Sequence, residues 1–267
     1  MKICFIYDNW DNDKTLNVYR KMTPNRSGKW KDMVAITNPD EADFQIIIDY
    51  TKRKIDPKKA IYISAHPTNQ AGYYDPKPEE CVASINYKTT SGFLEWWLKY
   101  DYDELSKMEC PEKTKLAACI MRNITLADYQ KDRVTYMDKF NTDNLGLVDM
   151  FGRETNPLGN EKDYWFGKEI LADYKHSLEF DAYAENYFSE RIADSLLMWC
   201  KPIYKGGWGV EKYIPKNSFA YLDDINLREY LISDDWEKSI KDISEARDLI
   251  LNKLQVWAKV YDCIKAL

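Results

Sequence analysis

The sequence predicts an α/β protein made of two domains that face a cleft. Short apolar stretches alternate with longer segments of helical periodicity, which is the pattern of sheets covered by helices. One polar stretch, "KMECPEKTK" (107–115), interrupts the series and is the best linker candidate because it contains Pro111. At about 150 residues per domain, a chain of 267 residues fits two domains. We therefore predict domains at residues 1–110 and 111–235, followed by a helical segment at 236–267.

The predicted first domain contains three buried strands and one helix. "KICFIY" (2–7), "ADFQIIIDY" (42–50) and "AIYISAH" (60–66) are short, apolar and without helical period, which predicts strands. "GFLEWWLKYDYDEL" (92–105) predicts a helix. The polar segments that follow these strands, such as "DNWDND", are predicted to be loops.

The predicted second domain continues the alternation with more elements. Strands are predicted at 115–121, 145–152, 174–180, 201–206 and 218–222. Helices are predicted at 125–140, 161–174, 187–200 and 226–231, and the C-terminal segment is predicted to be helical over 236–264. In such sheets, ligands bind at the carboxyl ends of the strands. This rule selects "DNWDND", "AHPTNQ", "RNIT", "GRET" and "DAYAENY" as candidate ligand-binding loops.

Charge and composition exclude several classes of protein. A net charge of -6 argues against a nucleic-acid binder held by a basic surface. No stretch approaches the roughly 20 apolar residues of a membrane helix, and Met1–Tyr7 is too short for a signal peptide, so we expect a cytoplasmic protein. The 6 cysteines form no C-x-x-C pair, so free thiols are expected and a zinc site is not. The 9 Trp and 20 Tyr suit a sugar-binding cleft, although composition alone favours a tyrosine-rich core and surface.

The helix predicted at 187–200 begins with residues that suit an anion. A helix turns about 100° per residue, so Tyr187, Glu190 and Arg191 fall on one side of its first turn. Free N–H groups and the dipole at this end favour an anion, whereas an arginine is unfavourable there without an anionic partner. A nucleotide diphosphate would satisfy both, with Glu190 accepting the ribose hydroxyls and Tyr187 packing on the nucleoside. The alternative is a solvated face with an incidental Glu–Arg pair.

A longer set of residues between 174 and 225 follows one order along the chain. These are Tyr174, Lys175, Leu178, Phe180, Tyr187, Glu190, Pro202, Ile203, Tyr204, Gly206, Pro215, Ser218, Phe219, Asp223 and Asp224. Their order resembles the donor-binding segment of glycosyltransferase family 10, the α1,3/4-fucosyltransferases: Y-K-F-x-L-x-F-E-N-S, Y-V-T-E-K, an amphipathic helix, P-I-Y-x-G, P-x-S-F and an aspartate pair. Upstream, "LAACIMRN" to "VDMFGR" (116–153) resembles the family's stretch that ends in a V-D-x-Y-G-R-like strand. "AHP" (65–67) stands where the family often has E-S-P.

The resemblance implies a GT-B fold, in which two Rossmann-like domains face each other across a cleft. The second domain would bind the donor nucleotide and the first mainly the acceptor, and the C-terminal helix would pack back on the first domain. The resemblance also implies GDP-fucose as donor, a glycan hydroxyl as acceptor, inversion at the anomeric carbon and no obligatory metal. Asp11-Asn12-Asp13 resembles the D-x-D metal motif of a different transferase fold, but after a strand it is better explained as a polar loop.

Carried over residue by residue, the resemblance assigns a donor site. Arg133 would contact the diphosphate, Glu190 the ribose and Arg191 the phosphates, while Tyr187 would line the nucleotide pocket. Arg191 replaces the family's lysine and keeps the charge in a planar fork, and Ser189 replaces threonine and keeps the hydroxyl. The full predicted donor site is Arg133, Arg153, Asp181, Tyr187, Ser189, Glu190 and Arg191. The family's E-N-S reads Asp181-Ala182-Tyr183 here, which leaves another nucleotide sugar open as donor.

The predicted catalytic residue is a histidine. An inverting transfer needs one group to take the proton of the acceptor hydroxyl, and the family's candidate glutamate aligns with Ala65. His66 stands beside it, and its unperturbed pKa of about 6.5 suits this role near neutral pH. A turn-capping His66, or a non-catalytic glycan- or nucleotide-binding protein, is the alternative. Other candidate bases are Asp8, Asp11, Asp75 and Glu79, and the residues predicted to stack on an acceptor sugar are Trp10, Tyr73 and Tyr74.

A second histidine has a simpler explanation. His176 alternates with Leu178 and Phe180 along a predicted strand, so it falls on the same face as these apolar residues. We predict that it is packed in the core rather than catalytic.

Overall fold

The computed structural model describes residues 1–64, 78–86, 94–121, 128–143, 146–152, 167–233 and 236–267. These residues form two compact units. The first unit comprises Met1–Glu95, Tyr100–Lys107 and Leu251–Leu267, and the second comprises Trp96–Lys99 and Met108–Ile250. Residues 236–250 thus belong with the second unit, whereas the sequence grouped them with the C-terminal residues.

The first unit is built on a sheet of six strands. They are β1 (Lys2–Ile6), β2 (Lys29–Trp30), β3 (Met33–Ala35), β4 (Phe44–Ile48), β5 (Ala60–Ile63) and β6 (Ala83–Ile85), in the order β2-β3-β1-β4-β5-β6. All neighbours are parallel except β2 and β3. β1, β4 and β5 are apolar along almost their whole length because both faces of a parallel sheet are covered. The α-helices described in this unit are α1 (Asn12–Arg20), α2 (Tyr102–Lys107) and α7 (Val256–Lys265).

The second unit is built on a parallel sheet of five strands. They are β7 (Lys115–Ile120), β8 (Asp149–Phe151), β9 (Tyr174–Phe180), β10 (Lys201–Lys205) and β11 (Ala220–Tyr221), in the order β11-β10-β9-β7-β8. The α-helices described here are α3 (Asp128–Asp143), α4 (Glu190–Leu197), α5 (Leu227–Ser233) and α6 (Ile240–Leu249). Leu178, Phe180 and Ile203 contribute to its apolar core, together with Met137 and Phe140 of α3.

Both sheets have the same doubly wound order. The parallel strands of the first run β3-β1-β4-β5-β6, and those of the second run β8-β7-β9-β10-β11, so each begins in the middle and reverses direction once. The reversal falls between β1 and β4 in the first unit and between β7 and β9 in the second. In such sheets, the carboxyl ends of the two strands at the reversal open a crevice for ligands. We call these places the first switch point (residues 7–12 and 49–53) and the second switch point (residue 121 and residues 181–191).

Three sequence predictions about local structure are wrong. Residues 94–101 are not helical, since Leu94, Trp96 and Leu98 are all buried with the period of two of an extended chain, and α2 begins only at Tyr102. The segment "DNWDND" is not wholly a loop, because α1 begins at Asn12. The part of the predicted helix 161–174 that is described, Lys168–Asp173, is a 3₁₀ helix.

The predicted C-terminal helix is broken into four pieces. A 3₁₀ turn (Trp236–Ser239), α6, a π-helical turn (Ile250–Leu254) and α7 follow one another. In the first unit, the Trp257 indole of α7 donates to the Tyr19 carbonyl at 2.9 Å and meets the Phe5 ring edge-on. α7 therefore packs on β1 and α1, and α6 packs on α4 in the second unit.

Candidate nucleotide-binding site

The second switch point is lined by polar side chains on a strand that would ordinarily be apolar. Ser177, Glu179 and Asp181 follow one another with a period of two at the end of β9, and all are buried. Leu178 and Phe180 point to the other face and enter the apolar core. α4 covers the polar face, and hydrogen bonds join β9 to this helix and its cap.

Ser189 and Asp181 fix the start of α4. The Ser189 hydroxyl caps the helix by accepting from the Arg191 N–H at 3.3 Å, and it donates to Asp181 Oδ1 at 2.8 Å. The Ser189 N–H donates to Asp181 Oδ2 at 3.0 Å. Arg191 Nε lies 3.6 Å from Asp181 Oδ1, and 23% of the Arg191 side chain is exposed. Asp181 is thus the anionic partner that an arginine needs at a helix N-terminus. Burial raises the pKa of Asp181, and the charge of Arg191 offsets part of that rise.

Glu190 belongs to a buried charge network with Lys168 and Asp194. Lys168 Nζ lies 3.7 Å from Glu190 Oε1 and donates to Asp194, whose other oxygen accepts from the Trp97 N–H at 2.8 Å. Burial opposes the charge of Glu190, but Lys168 and Arg191 outweigh it and lower the pKa of Glu190. Glu190 is therefore an ionised acceptor at neutral pH, and 20% of its side chain remains exposed. Such a carboxylate can accept hydrogen bonds from two vicinal hydroxyls.

Glu179 and Arg133 extend the network towards β7. Glu179 accepts from the Ser195 hydroxyl at 2.7 Å, and burial raises its pKa to about 7 although Arg191 and Lys168 oppose the rise. Arg133, on α3, is buried. Burial also raises the pKa of Cys119 on β7, and the charges of Arg191 and Arg133 both act against this rise. Arg133 and Arg191 thus lie on the helices that follow the two neighbouring strands β7 and β9.

Tyr187 lies in the loop between β9 and α4, and its side chain is buried. Its carbonyl accepts from the Tyr204 hydroxyl at 3.1 Å, and that hydroxyl accepts from the Gly207 N–H at 3.1 Å. A Cβ at Gly207 would stand 2.1 Å from the Ala184 carbonyl oxygen, so only glycine allows the loop after β10 to approach the loop after β9 this closely. The loop that carries Tyr187 is therefore held by backbone contacts.

Four residues at this site were missed by the sequence reasoning. Lys168 and Asp194 gave no signal, since their pairing depends on the 3₁₀ helix and α4 coming together. Glu179 could have been found, because an acid on a buried strand needs a partner. Trp208, after β10, is 56% exposed while its carbonyl accepts from the Asn186 N–H at 2.7 Å.

The first switch point is held by a different set of contacts. Asp8 accepts from the Thr51 hydroxyl at 2.6 Å and from the Lys52 N–H at 2.7 Å, and Arg53 Nε lies 3.6 Å from the same carboxylate. Arg53 also donates to the Trp10 carbonyl at 2.9 Å and to the Asn12 side chain. The loops after β1 and β4 are thereby locked to each other.

Trp10 and two acids also lie at the first switch point. The Trp10 ring meets Tyr7 edge-on, with centroids 4.9 Å apart, and Lys14 lies over it. Asp11 caps α1 by accepting from the Lys14 N–H at 2.7 Å, so the polar stretch is the start of a helix. Asp49, at the end of β4, is buried and has a φ of 61°, a strained conformation for a residue with a side chain.

The remaining predicted site residues have different outcomes. His66, Tyr73, Tyr74, Asp75 and Arg153 lie outside the described residues. Glu79 is exposed in a 3₁₀ turn, Pro78–Glu80. His176 is fully buried, and its ring centroid lies 5.8 Å from that of Tyr230, which confirms the prediction that it is packed in the core.

Three further observations concern the described residues only. They contain no group of three or more His, Cys, Asp or Glu side chains that could hold a metal ion. None of the helices among them is long and apolar enough to cross a membrane. All six cysteines are free thiols.

The whole chain was compared with known proteins. No protein-family model and no curated protein matches the sequence. The crystal structure of an α1,3-fucosyltransferase is similar, with a TM-score of 0.51 and 17% identity over 95% of this chain and 81% of that chain. A structure of α1,3-fucosyltransferase with GDP-fucose matches with a TM-score of 0.46 and 18% identity, over 100% of this chain and 89% of that chain. At 17% identity, the likeness to the first of these structures establishes the fold alone: the chain is an α/β protein of GT-B type, as predicted, with two Rossmann-like units.

Proposed function

We propose that this protein is an inverting glycosyltransferase that moves L-fucose from GDP-fucose to a glycan hydroxyl. The observation that carries the proposal is the second switch point, where Arg191 and Glu190 begin the helix that follows β9 and Arg133 lies on the helix that follows the neighbouring strand β7. A nucleotide diphosphate needs both an anion site and an acceptor for ribose hydroxyls, and this arrangement offers the two side by side. The fold shared with an α1,3-fucosyltransferase supports the same proposal.

Each donor-site residue has a proposed role. Arg191 and Arg133 would neutralise the diphosphate, whose negative charge grows as GDP leaves, and this would make a divalent metal dispensable. Glu190 would accept the ribose hydroxyls, held in place by Lys168. Asp181 and Ser189 would act through Arg191, because their hydrogen bonds fix the start of α4. Tyr187 and Arg153 remain proposed members of the donor site.

The transfer itself would be a single displacement. The acceptor oxygen attacks the anomeric carbon, the bond to the diphosphate oxygen breaks, and a base takes the hydroxyl proton, which inverts the configuration. We propose His66 as the base, with Trp10, Tyr73 and Tyr74 stacking on the acceptor. Asp8 and Asp11 are less suited to this role, since both carboxylates are engaged by hydrogen bonds that hold the first switch point and the start of α1.

Calorimetric titration with GDP, UDP and GDP-fucose, first in EDTA and then with added Mg²⁺, tests the proposal. We expect GDP and GDP-fucose to bind without the metal and UDP to bind weakly or not at all. Tight binding of UDP with no binding of GDP would show that the donor is a UDP-sugar and not GDP-fucose, which the Asp181-Ala182-Tyr183 sequence allows. Binding of GDP-fucose without turnover on a broad panel of glycans would instead identify a non-catalytic relative, as the alanine at position 65 allows.

A further inference from the structure

A seam of polar side chains joins β9 to α4. We call it the polar seam: Ser177, Glu179 and Asp181 on the strand, and Ser189, Arg191 and Ser195 on the helix side. Its hydrogen bonds are those from Ser177 to Ser195 (2.8 Å), from Ser195 to Glu179 (2.7 Å) and from Ser189 to Asp181 (2.8 Å). A helix that covers a parallel sheet usually buries apolar side chains, which would pack without the desolvation cost of a buried acid. The seam therefore needs a reason beyond stability.

Glu179 lies at the centre of the seam, between Ser177 and Asp181 on the polar face of β9. Arg191 approaches from α4 and Lys168 from the 3₁₀ helix, and both favour the charged carboxylate. Cys119, on β7, pairs with Leu178 and shares its apolar face of the sheet, not the face of Glu179. Burial and, to a smaller extent, the charge of Glu179 raise the pKa of Cys200, which lies between α4 and β10. Asp181 shares its face of β9, whereas Arg133 lies on α3, whose Met137 and Phe140 pack with Leu178 and Phe180 on the opposite face. Glu179 accepts from the Ser195 hydroxyl, whose oxygen lies 3.0 Å from the Arg191 carbonyl oxygen, so Glu179 is joined to the first turn of α4 that carries Arg191.

We propose that Glu179 is a positioning residue of the nucleotide site, which holds Arg191 through the polar seam and takes up a proton when the diphosphate binds. The inference rests on the proposed function, since it needs a diphosphate at Arg191. Before binding, the charge of Arg191 is shared with the buried carboxylates of Asp181 and Glu179. A bound diphosphate satisfies the guanidinium group from outside and adds negative charge, so an ionised Glu179 becomes less favourable.

The proton that is taken up when the diphosphate binds goes to the Glu179 carboxylate. It comes from solvent and neutralises the Glu179 carboxylate, which stays hydrogen-bonded to Ser195. Because the pKa of Glu179 is raised to about 7 by burial, the unliganded site holds a mixture of charged and neutral forms at neutral pH. Binding would draw this mixture towards the neutral form. GDP-fucose affinity is therefore expected to fall as pH rises through neutrality, by at most about tenfold per pH unit for one linked proton.

Calorimetry of GDP-fucose binding without acceptor tests the inference. The diphosphate of GDP-fucose has no proton that titrates near neutral pH, so proton exchange reports the protein. Titration at about pH 7.5 in buffers of different ionisation enthalpy gives the number of protons taken up. We expect a fraction of one proton for the natural protein and none for Glu179→Gln, which keeps the shape but cannot titrate.

Two further variants keep the test decisive. Glu179→Asp retains an acid in the seam and should keep the proton uptake, which also guards against a Glu179→Gln protein that fails to fold. Glu185→Gln, in the exposed loop before α4, is the matched control and should take up protons as the natural protein does. Binding of GDP-fucose without proton uptake, or equal uptake by Glu179→Gln, would overturn the inference alone. Failure of GDP-fucose to bind would overturn the proposed function and the inference together.

Discussion

The two switch points share one strand order but present different chemistry at their helix starts. α1 begins with an exposed aspartate cap, Asp11, and a second exposed acid, Asp13. α4 begins with an uncharged cap, Ser189, followed by Glu190 and a partly exposed Arg191. An anion approaching α1 would meet two carboxylates, whereas an anion approaching α4 would meet the Arg191 guanidinium group beside a single partly exposed carboxylate, Glu190.

The placement of the acids explains the difference. At the second switch point Asp181 and Glu179 are buried beneath the helix start, and Asp181 lies 3.6 Å from the Arg191 guanidinium group. At the first, Asp8 instead joins two loops and Asp11 remains at the surface. The comparison teaches that strand order selects where a ligand can bind, while a few residues at the helix start decide which ligand it is.

The substitution with the largest expected effect is that of His66, in the first half of the chain. If the first half of the chain supplies chemistry and the second supplies nucleotide affinity, His66→Ala should lower turnover by roughly 10²–10⁴-fold, the usual contribution of a general base. GDP affinity should not change. Transfer rates on a glycan panel and calorimetric GDP affinity measure the two effects separately. Normal turnover would rule out His66 as the base and leave Asp75 and Glu79 as candidate bases.

A smaller but more direct comparison pairs Arg191 with Arg53, the arginine at each switch point. Arg191→Ala should weaken GDP binding by about 1.5–3 kcal/mol, as expected for a hydrogen bond to a charged group. Arg53→Ala should leave GDP affinity unchanged, because Arg53 joins Asp8, Asn12 and the Trp10 carbonyl. Calorimetry on both variants, with melting temperatures to check folding, decides the matter. Equal losses in the two variants would erase the proposed distinction between the switch points.

The fold was largely predictable from sequence because its buried strands are short apolar runs. β1, β4, β5, β7, β9 and β10 were all placed, since each is flanked by polar residues that end it. β2 and β3 were missed because two or three residues are too few to show a period. The segment around Trp96 was misread as a helix, since three adjacent apolar or aromatic residues, Trp96-Trp97-Leu98, fit both periods.

The candidate site was predictable only where one short segment carries it. Ser189, Glu190 and Arg191 are adjacent in sequence, so the helix period alone brings them together. Lys168 and Asp194 meet Glu190 through tertiary contacts between separate elements, and no local pattern encodes that meeting. Asp181 was predicted to bind the donor, but its partnership with Ser189 across the loop required the structure.

The smallest expected effects compare the two helix caps. Asp11→Ala and Ser189→Ala each remove a cap and should lower the free energy of unfolding by about 1 kcal/mol, measured by denaturant titration. Only Ser189→Ala should also weaken GDP binding, by a few-fold, because it frees Asp181 and with it the anchor of Arg191. Asp11→Ala should bind GDP normally, since α1 takes no part in the anion site. If Asp11→Ala weakened GDP binding as much as Ser189→Ala, the helix starts would not differ in the way their charges indicate.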